Sequence, residues 1–475
     1  MKDKVAIENR MLFTETMGDP FADAGGYVIK FLWQQPHLRD KTILELIEYI
    51  AKIYVNTWAG KLHLFFLNST ITQQAFKGDR KIDETLRYYR SLLSETTPGS
   101  VGHCRISGRK TRLYPAGRDN HILSGSGTFI NFHHSFDSGL LLSKEVLIRM
   151  FFVPFGLMQL SDKVALIHSS NEEITRFFIE QNCETNLQRL ASGIADGVLK
   201  SPFNNPSNAL FEFIDNCLIK LKAILHPDRD DEVDDTRSPS LTLYHFSNFA
   251  ANPEITIYSL SSDVFTFYAF CNRVKYRSAW IKFIRAHYKN SKYKDAVFDE
   301  TDEVWRSKQD IEYDVYRIWR NEILERLLTG ASILPKIARW TFDHQLPFRI
   351  VEIYQTYIRK MEKRTLEKIK EIADFIVGHK EADYIEKCIN RLNKEKSING
   401  LRLFMLRMTE EHYELDGQAP LINLQDYSEY LFPDGVNWRE IRDVLLIAIY
   451  ERLHDLKLKI AAELIDDENE TITPN

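Results

Sequence analysis

The sequence predicts an α+β fold: a mixed α/β N-terminal region with a degenerate zinc-ribbon-like insertion, followed by an all-α helical bundle. Three observations predict it. Short apolar runs bounded by Gly, Pro, Asn and Ser alternate with helix-period stretches through the first part of the chain. A segment at 100–147 opens like one knuckle of a zinc ribbon yet holds a single cysteine, Cys104. From about Pro335 onward, apolar residues recur almost purely at helical spacing. The expected domains are 1–325, containing the ribbon and an acidic loop at 226–239, and 332–475, the bundle.

The elements follow in order. Gly18, Pro20, Gly25 and Gly26 are read as tight turns. Asp40 is expected to cap a helix whose apolar face is Ile43, Ile47, Ile50, Ala51 and Tyr54. LHLFFL at 62–67 reads as a buried strand running into a polar loop. The apolar stretch 146–160 carries Arg149 and Pro154 and is read as core. VALIHSS at 164–170 is a second strand, after which Asn171 caps a long helix. The acidic run at 226–239 is a solvated loop. LTLYHFSNF and EITIYSL then read as two strands joined through 248–253. In the bundle, one stripe is Leu366, Ile369, Ala373 and Ile376; another is Leu401, Phe404, Met405 and Met408. Trp438, Ile441, Leu445, Ala448 and Leu453 make a third, and the tail at 466–475 is acidic.

Composition narrows the function. The 475 residues are 44% hydrophobic and 27% charged, values of an ordinary globular protein with a large core. Net charge is -5, so any nucleic-acid contact must rest on local basic patches. The cysteines, Cys104, Cys183, Cys217, Cys271 and Cys388, are scattered and odd in number, which fits the reducing cytoplasm. The opening MKDKVAIENRMLF is charged and is not read as a signal peptide. No run approaches the ~20 apolar residues of a membrane helix.

No phosphate loop, zinc-protease helix, nucleophile elbow or dinucleotide fingerprint occurs, and SGSG at 124–127 is read as a turn. The chain is therefore expected to be no enzyme and to hold no cofactor. Ser107 stands where a Cys-x-x-Cys knuckle puts its second thiolate, and Ser143 and Val146 stand where a second pair would fall. A structural zinc needs four ligands, so no metal is expected. Arg105, Arg109, Lys110, Arg112 and Arg118 surround Cys104 in sequence and favour a polyanion. They form, with Asn120, one candidate DNA-contacting stretch.

Asn68, Thr70, Gln73 and Gln74 form another, neutral groups suited to base edges, with Lys77 and Arg80 beyond them suited to phosphate. A third lies in 265–294, which has no acidic residue. Arg273, Lys275, Arg277, Lys282, Arg285 and Lys289 interleave there with Tyr276, Trp280, Tyr288 and Tyr293. The competing reading is a solvated helix face with its rings in the core. A rival function is a metal-dependent nuclease using His133, His134 and Asp137, or His454 and Asp455, none of which has partners at ligand spacing. Another rival is an RNA-processing or scaffold subunit.

MGDPFADAGG at 17–26, LHLFFLNS at 62–69, GHCRISG at 102–108, LSGSGTFINFHHSFDSGL at 123–140, HSSN at 168–171 and SLTLYHFSNFAANPEITIYSL at 240–260 occur in this order. Together they resemble the large subunit of type I-B CRISPR surveillance complexes (Cascade), in its CXXC-CXXC subfamily. The departure is the loss of three of four thiols. The resemblance implies a non-catalytic subunit that recognises the protospacer-adjacent motif in double-stranded target DNA, helps open it and holds the displaced single strand. It also implies partners: the guide-RNA complex with its backbone subunits, and a helicase-nuclease or a transposition adaptor. The C-terminal helices resemble the small subunit of the same complexes, which implies that they are also made separately in some systems; Met361 would open such a fragment.

Overall fold

In a computed structural model of the chain, the described residues are 10–122, 140–221, 238–247, 254–379, 381–416 and 420–460. SGSG at 124–127, His133, His134, Asp137, most of the acidic loop, the 248–253 connection and the tail lie outside them. The fold is α+β: mixed sheets and helices first, helices almost alone toward the C-terminus. Two compact units form, Met1–Arg229 with Pro239–Ser261, and Asp230–Ser238 with Ser262–Asn475. The expected boundary between 325 and 332 falls inside the second unit, because aromatic packing ties its early helices to later ones: Phe267 meets Trp280 at 5.4 Å and Tyr354 at 5.3 Å.

The first unit begins with α1 (Pro20–Gln34) and α2 (Ile43–Lys52). Gly25 and Gly26 are not turns; they lie within α1, where α4 (Lys144–Gly156) crosses it. A Cβ on Gly25 would sit 2.2 Å from the Arg149 carbonyl oxygen, so only glycine permits this approach. Arg149 is fully buried and donates to the Glu15 and Leu12 carbonyls at 2.7 and 3.0 Å, with Asp23 3.7 Å away. Asp23 in turn accepts from the Met17 and Gly18 N–H groups at 2.6 and 3.0 Å, and Asp19 caps α1 with Pro20 at its first turn. The stretch 17–26 thus starts α1 and lets α4 cross it closely, while its Phe21 ring packs on Tyr244 and Phe246. The cap of α2 is Thr42, in a reciprocal box with Glu45, rather than Asp40: its hydroxyl is one residue from the helix start, as capping requires.

The segment 62–67 is a turn, not a strand. Phe65 and Phe66 N–H groups both donate to the Leu62 carbonyl at 2.9 Å, and the buried set Leu62, Phe65, Phe66 has helical spacing. Then come α3 (Asp79–Leu93) and an antiparallel ribbon, β1 (Ser100–His103), β2 (Lys110–Ala116) and β3 (Leu140–Ser143), in that spatial order. The principal sheet runs β6-β4-β5-β7-β8. Its strands are β4 (Met158–Leu160), β5 (Lys163–Ser169), β6 (Leu199–Lys200), β7 (Leu241–Ser247) and β8 (Glu254–Leu260). All pairings are antiparallel except β4 with β6. The helix after Asn171, α5 (Glu172–Ala191), packs on β5 and on α1 and α4, and α6 (Pro206–Lys220) packs on α5 and β7.

The second unit opens with α7 (Ser262–Cys271) and α8 (Val274–Arg285). A small three-stranded sheet and a two-stranded one lie among the next elements, with α9 (Tyr313–Tyr316), α10 (Glu322–Thr329), α11 (Leu334–Asp343), α12 (Phe348–Ile353), α13 (Lys363–Gly378), α14 (Ala382–Lys394), α15 (Ile398–Asp416) and α16 (Trp438–Leu456) in chain order. The α16 helix packs against α11, α12, α13, α14 and α15. The three expected apolar stripes are buried there except at Trp438, which meets Arg439 and Arg442 through cation–π contacts.

Candidate nucleic-acid interface

The ribbon keeps its knuckle without the metal ligands. The Cys104 N–H donates to the Arg109 carbonyl and the Gly108 N–H to the Cys104 carbonyl, both at 2.9 Å; Gly108 has φ +67°, the conformation such a turn requires. The Ser143 N–H points at the Cys104 sulfur from 3.4 Å. Burial alone pushes the Cys104 thiol up. Hydrogen bonds from the Ser107 hydroxyl and from the N–H groups of Ser107, Ser143 and Ile106 more than offset this and hold it below its usual range. Ser143 also caps α4, accepting from the Val146 N–H at 3.5 Å. Cys104, Ser107 and Ser143 therefore converge on one point where a ribbon holds zinc. Among the described residues no cluster of three or more His, Cys, Asp or Glu has metal-binding proximity.

Register places the ribbon's cations. His103 pairs with Lys110 and Val101 with Arg112, so these four share one face of β1 and β2. Arg105 and Lys110 are exposed, with no ion pair among the described residues. Arg109 is half-exposed but bound to Glu15 at 2.5 Å.

The neutral loop and the Arg118–Asn120 turn come together, although some 50 residues separate them. The Leu67 N–H donates to the Arg118 carbonyl at 2.9 Å. With its amide turned so that oxygen faces the guanidinium, Asn68 accepts two hydrogen bonds from Arg118 at 3.0 Å. The buried Asn120 accepts from the Gly117 N–H at 2.9 Å and donates to the Pro115 carbonyl and the Tyr88 hydroxyl at 3.1 and 3.0 Å. Thr85 donates to the Lys81 carbonyl, so Thr70 donates to Thr85, at 2.7 Å. Asn68, Thr70, Arg118 and Asn120 thus shape the loop rather than present free polar edges. Gln73 and Gln74 are exposed, as are Lys77 and Arg80.

Between this loop, the turn and α3 lies a cavity of about 290 Å³. Sequence reasoning missed the wall that α3 supplies, Tyr88 and Tyr89, and the rings of Phe76 and Phe151 beside it. The available signal was the Tyr88-Tyr89 pair. Tyr89 continues the buried stripe of Ile82, Thr85 and Leu92, and that leaves Tyr88 off the core face. Burial pushes the Tyr88 hydroxyl up to about 12.

In the second unit, Tyr276, Trp280 and Tyr288 are buried, so those rings are core. Tyr293, more exposed, stacks on Trp319 at 5.1 Å. The acids missing from 265–294 arrive from later segments: Glu303 pairs with Arg285, and Glu322 with Lys289 at 2.6 Å. Arg273 lies over Phe270 and Lys275 over Tyr276. Arg277 and Lys282 have no ion pair among the described residues, and Arg277 is exposed. Toward the C-terminus, Lys360, Arg364, Lys368 and Arg391 all pair with carboxylates. His454 is bonded to the Thr341 carbonyl at 2.8 Å, and Asp455 accepts from Gln345 at 3.3 Å.

A family model described as the DevT C-terminal domain matches residues 340–475. That stretch is less than half of the chain and starts within α11, so the similarity covers later helices and neither the ribbon nor the cavity. The chain has no significant match among curated proteins. No helix among the described residues is long and apolar enough to cross a membrane.

Proposed function

We propose that the chain is a non-catalytic large subunit of an RNA-guided CRISPR surveillance complex of the type I-B class. It recognises a short motif beside the target in double-stranded DNA, helps open the duplex, holds the displaced strand and recruits a helicase-nuclease or transposition adaptor in the cytoplasm. The observation that carries the reading is the convergence of the 68–74 loop and the 118–120 turn on one cavity, with exposed Lys77 just after the loop and exposed Arg80 in the first turn of α3. Exposed Arg105 and Lys110 on the ribbon, with no ion pair among the described residues, add phosphate-holding charge. The order of sequence motifs that resemble the large subunit supports it further.

The test is binding of the purified full chain, alone and with its guide-RNA complex, to labelled duplexes with the flanking motif randomised. Enrichment of a motif that Gln73→Ala with Gln74→Ala relaxes supports the reading; no DNA binding in either setting overturns it. Magnesium- or manganese-dependent cleavage abolished by His454→Ala would replace it with the nuclease.

A further inference from the structure

We propose that the cavity between α3 and the 66–76 segment receives one unpaired nucleobase of opened DNA, and that it selects bases bearing an exocyclic amino group over thymine. This rests on the DNA reading above and goes beyond it by assigning the ligand of a site that sequence alone did not reveal.

Size comes first. At about 290 Å³ the cavity sits at the low end of the ~300–1,000 Å³ range of small-molecule pockets, which suits one ring system and excludes a base pair. Its walls come next. Phe76 and Tyr88 present half-buried ring surface from two separate segments, with the buried Phe66 and Tyr89 also lining the cavity, and unpaired bases stack on such surfaces whatever their sequence. Tyr88 and Tyr89 stand edge to face at 4.9 Å, so their orientations are mutually fixed.

The polar groups are few and directional. Asn120 donates to the Tyr88 hydroxyl, which leaves that hydroxyl's own proton for an acceptor elsewhere. Its raised pKa keeps it a neutral donor at working pH. Asp119 lines the cavity and is exposed, so its carboxylate is an acceptor at the mouth. A carboxylate accepts from the amino group of cytosine, adenine or guanine; thymine has only its ring N3–H to give, flanked on both sides by carbonyl oxygens that a carboxylate repels. The same carboxylate repels a phosphate, so the base enters and the backbone stays outside. Arg80, held over the Phe76 ring at 5.3 Å, and Lys77 are the cations for that backbone.

The experiment uses the full chain and a duplex with a short unpaired bubble carrying 5-iodocytosine or 5-iodouracil in otherwise identical strands. Binding is read by anisotropy, and photocrosslinks are mapped by mass spectrometry. Expected is a crosslink to Tyr88 or Phe76, stronger for iodocytosine. Tyr88→Leu should abolish it and weaken bubble binding roughly five- to hundredfold, the range for one lost stacking partner, with the salt slope unchanged. Tyr88→Phe keeps the ring and should keep the crosslink, and Asp119→Asn should level the preference between the two bases. Bubble binding with crosslinks only outside 66–89 and 119–120 overturns the inference and leaves the DNA reading standing. No binding to the bubble, either by the chain alone or with its guide-RNA complex, overturns both. Saturation of the cavity by free cytidine, with crosslinks to DNA unaffected, identifies a small-molecule receptor and also overturns it.

Discussion

Restoring three thiols should restore a zinc site. The perturbation is Ser107→Cys, Ser143→Cys and Val146→Cys together. Cys104 already receives the Ser143 N–H from 3.4 Å and the Ser107 hydroxyl, so two of the three new sulfurs start beside the first. Ser143 is the N-cap of α4 and Val146 its third residue, positions whose side chains face each other in a capping box. The network to be displaced is a few hydrogen bonds at about 1 kcal/mol each. Structural zinc in zinc-finger peptides contributes ~10–16 kcal/mol at neutral pH. The gain exceeds the loss several-fold, and the expected dissociation constant is tens of nanomolar or tighter. The assay is metal stoichiometry after dialysis, with cobalt absorption to report tetrahedral thiolate coordination. At zinc a hundredfold above that constant, stabilisation is about 2.7 kcal/mol, a rise of several degrees in the first unit's melting midpoint, reversed by a chelator. Val146→Cys alone should bind no zinc. A folded triple variant without stoichiometric zinc, or one with octahedral cobalt, refutes the claim that the ribbon retains the shape of a metal knuckle.

Arg105→Ala with Lys110→Ala should lower the log–log salt slope of DNA binding by about two, at ~0.9 per phosphate neutralised, whereas Arg109→Ala should change it less because Glu15 already holds that guanidinium. An equal effect of both variants in the titration contradicts this. Gly25→Ala should cost about 3 kcal/mol in urea unfolding, since the new Cβ meets a backbone oxygen at 2.2 Å; a loss under about 1 kcal/mol is the contrary result. Burial depresses His121 and His287 from 6.5 to about 4, so each binds its proton more readily in the unfolded chain. The stability they confer is present above pH 6.5 and is lost as pH falls toward 4, about 3 kcal/mol for each. Asp19 and Asp23 shift upward from 3.8, also through burial, and oppose this as pH falls through their raised values. Replacing His287 by Gln should flatten the acid limb of the second unit's stability curve, measured by urea unfolding at pH 7 and pH 5.

Much of the fold was legible because its signals are local. The strand at Lys163–Ser169, the Asn171 cap and the three bundle stripes need only period and capping chemistry. The errors share a cause. Leu62, Phe65 and Phe66 form an apolar run short enough for either a strand or a helical turn, and packing decided it. Gly25 and Gly26 looked like turns because their reason, the Arg149 backbone, lies more than 120 residues away. The acid-free run at 265–294 looked like a naked polyanion site because Glu303 and Glu322 are later in the chain. Composition of a window cannot report a partner outside it.

The same logic separates what the motifs say about shape from what they say about function. In the 17–26 stretch, Asp19 caps α1 and Asp23 ties the preceding turn to the buried Arg149 of α4, so its polar side chains serve the framework. Asn68, Thr70 and Asn120, chosen for their ability to read bases, are instead bonded within the protein, and what they build is the position of Tyr88, Gln73 and Asp119. Resemblance in such residues therefore argues for a common framework more strongly than for a common target sequence. On the proposed reading, base preference should lie with the exposed groups of this framework: Gln74, Asp119 and Gln73, whose amide N–H already donates to the Asn68 carbonyl at 2.8 Å. Exchanging Gln73, Gln74 or Asp119 should change the recognised motif while the fold persists. Exchanging Asn120 should weaken recognition of every sequence, because it loosens the turn and the Tyr88 ring together.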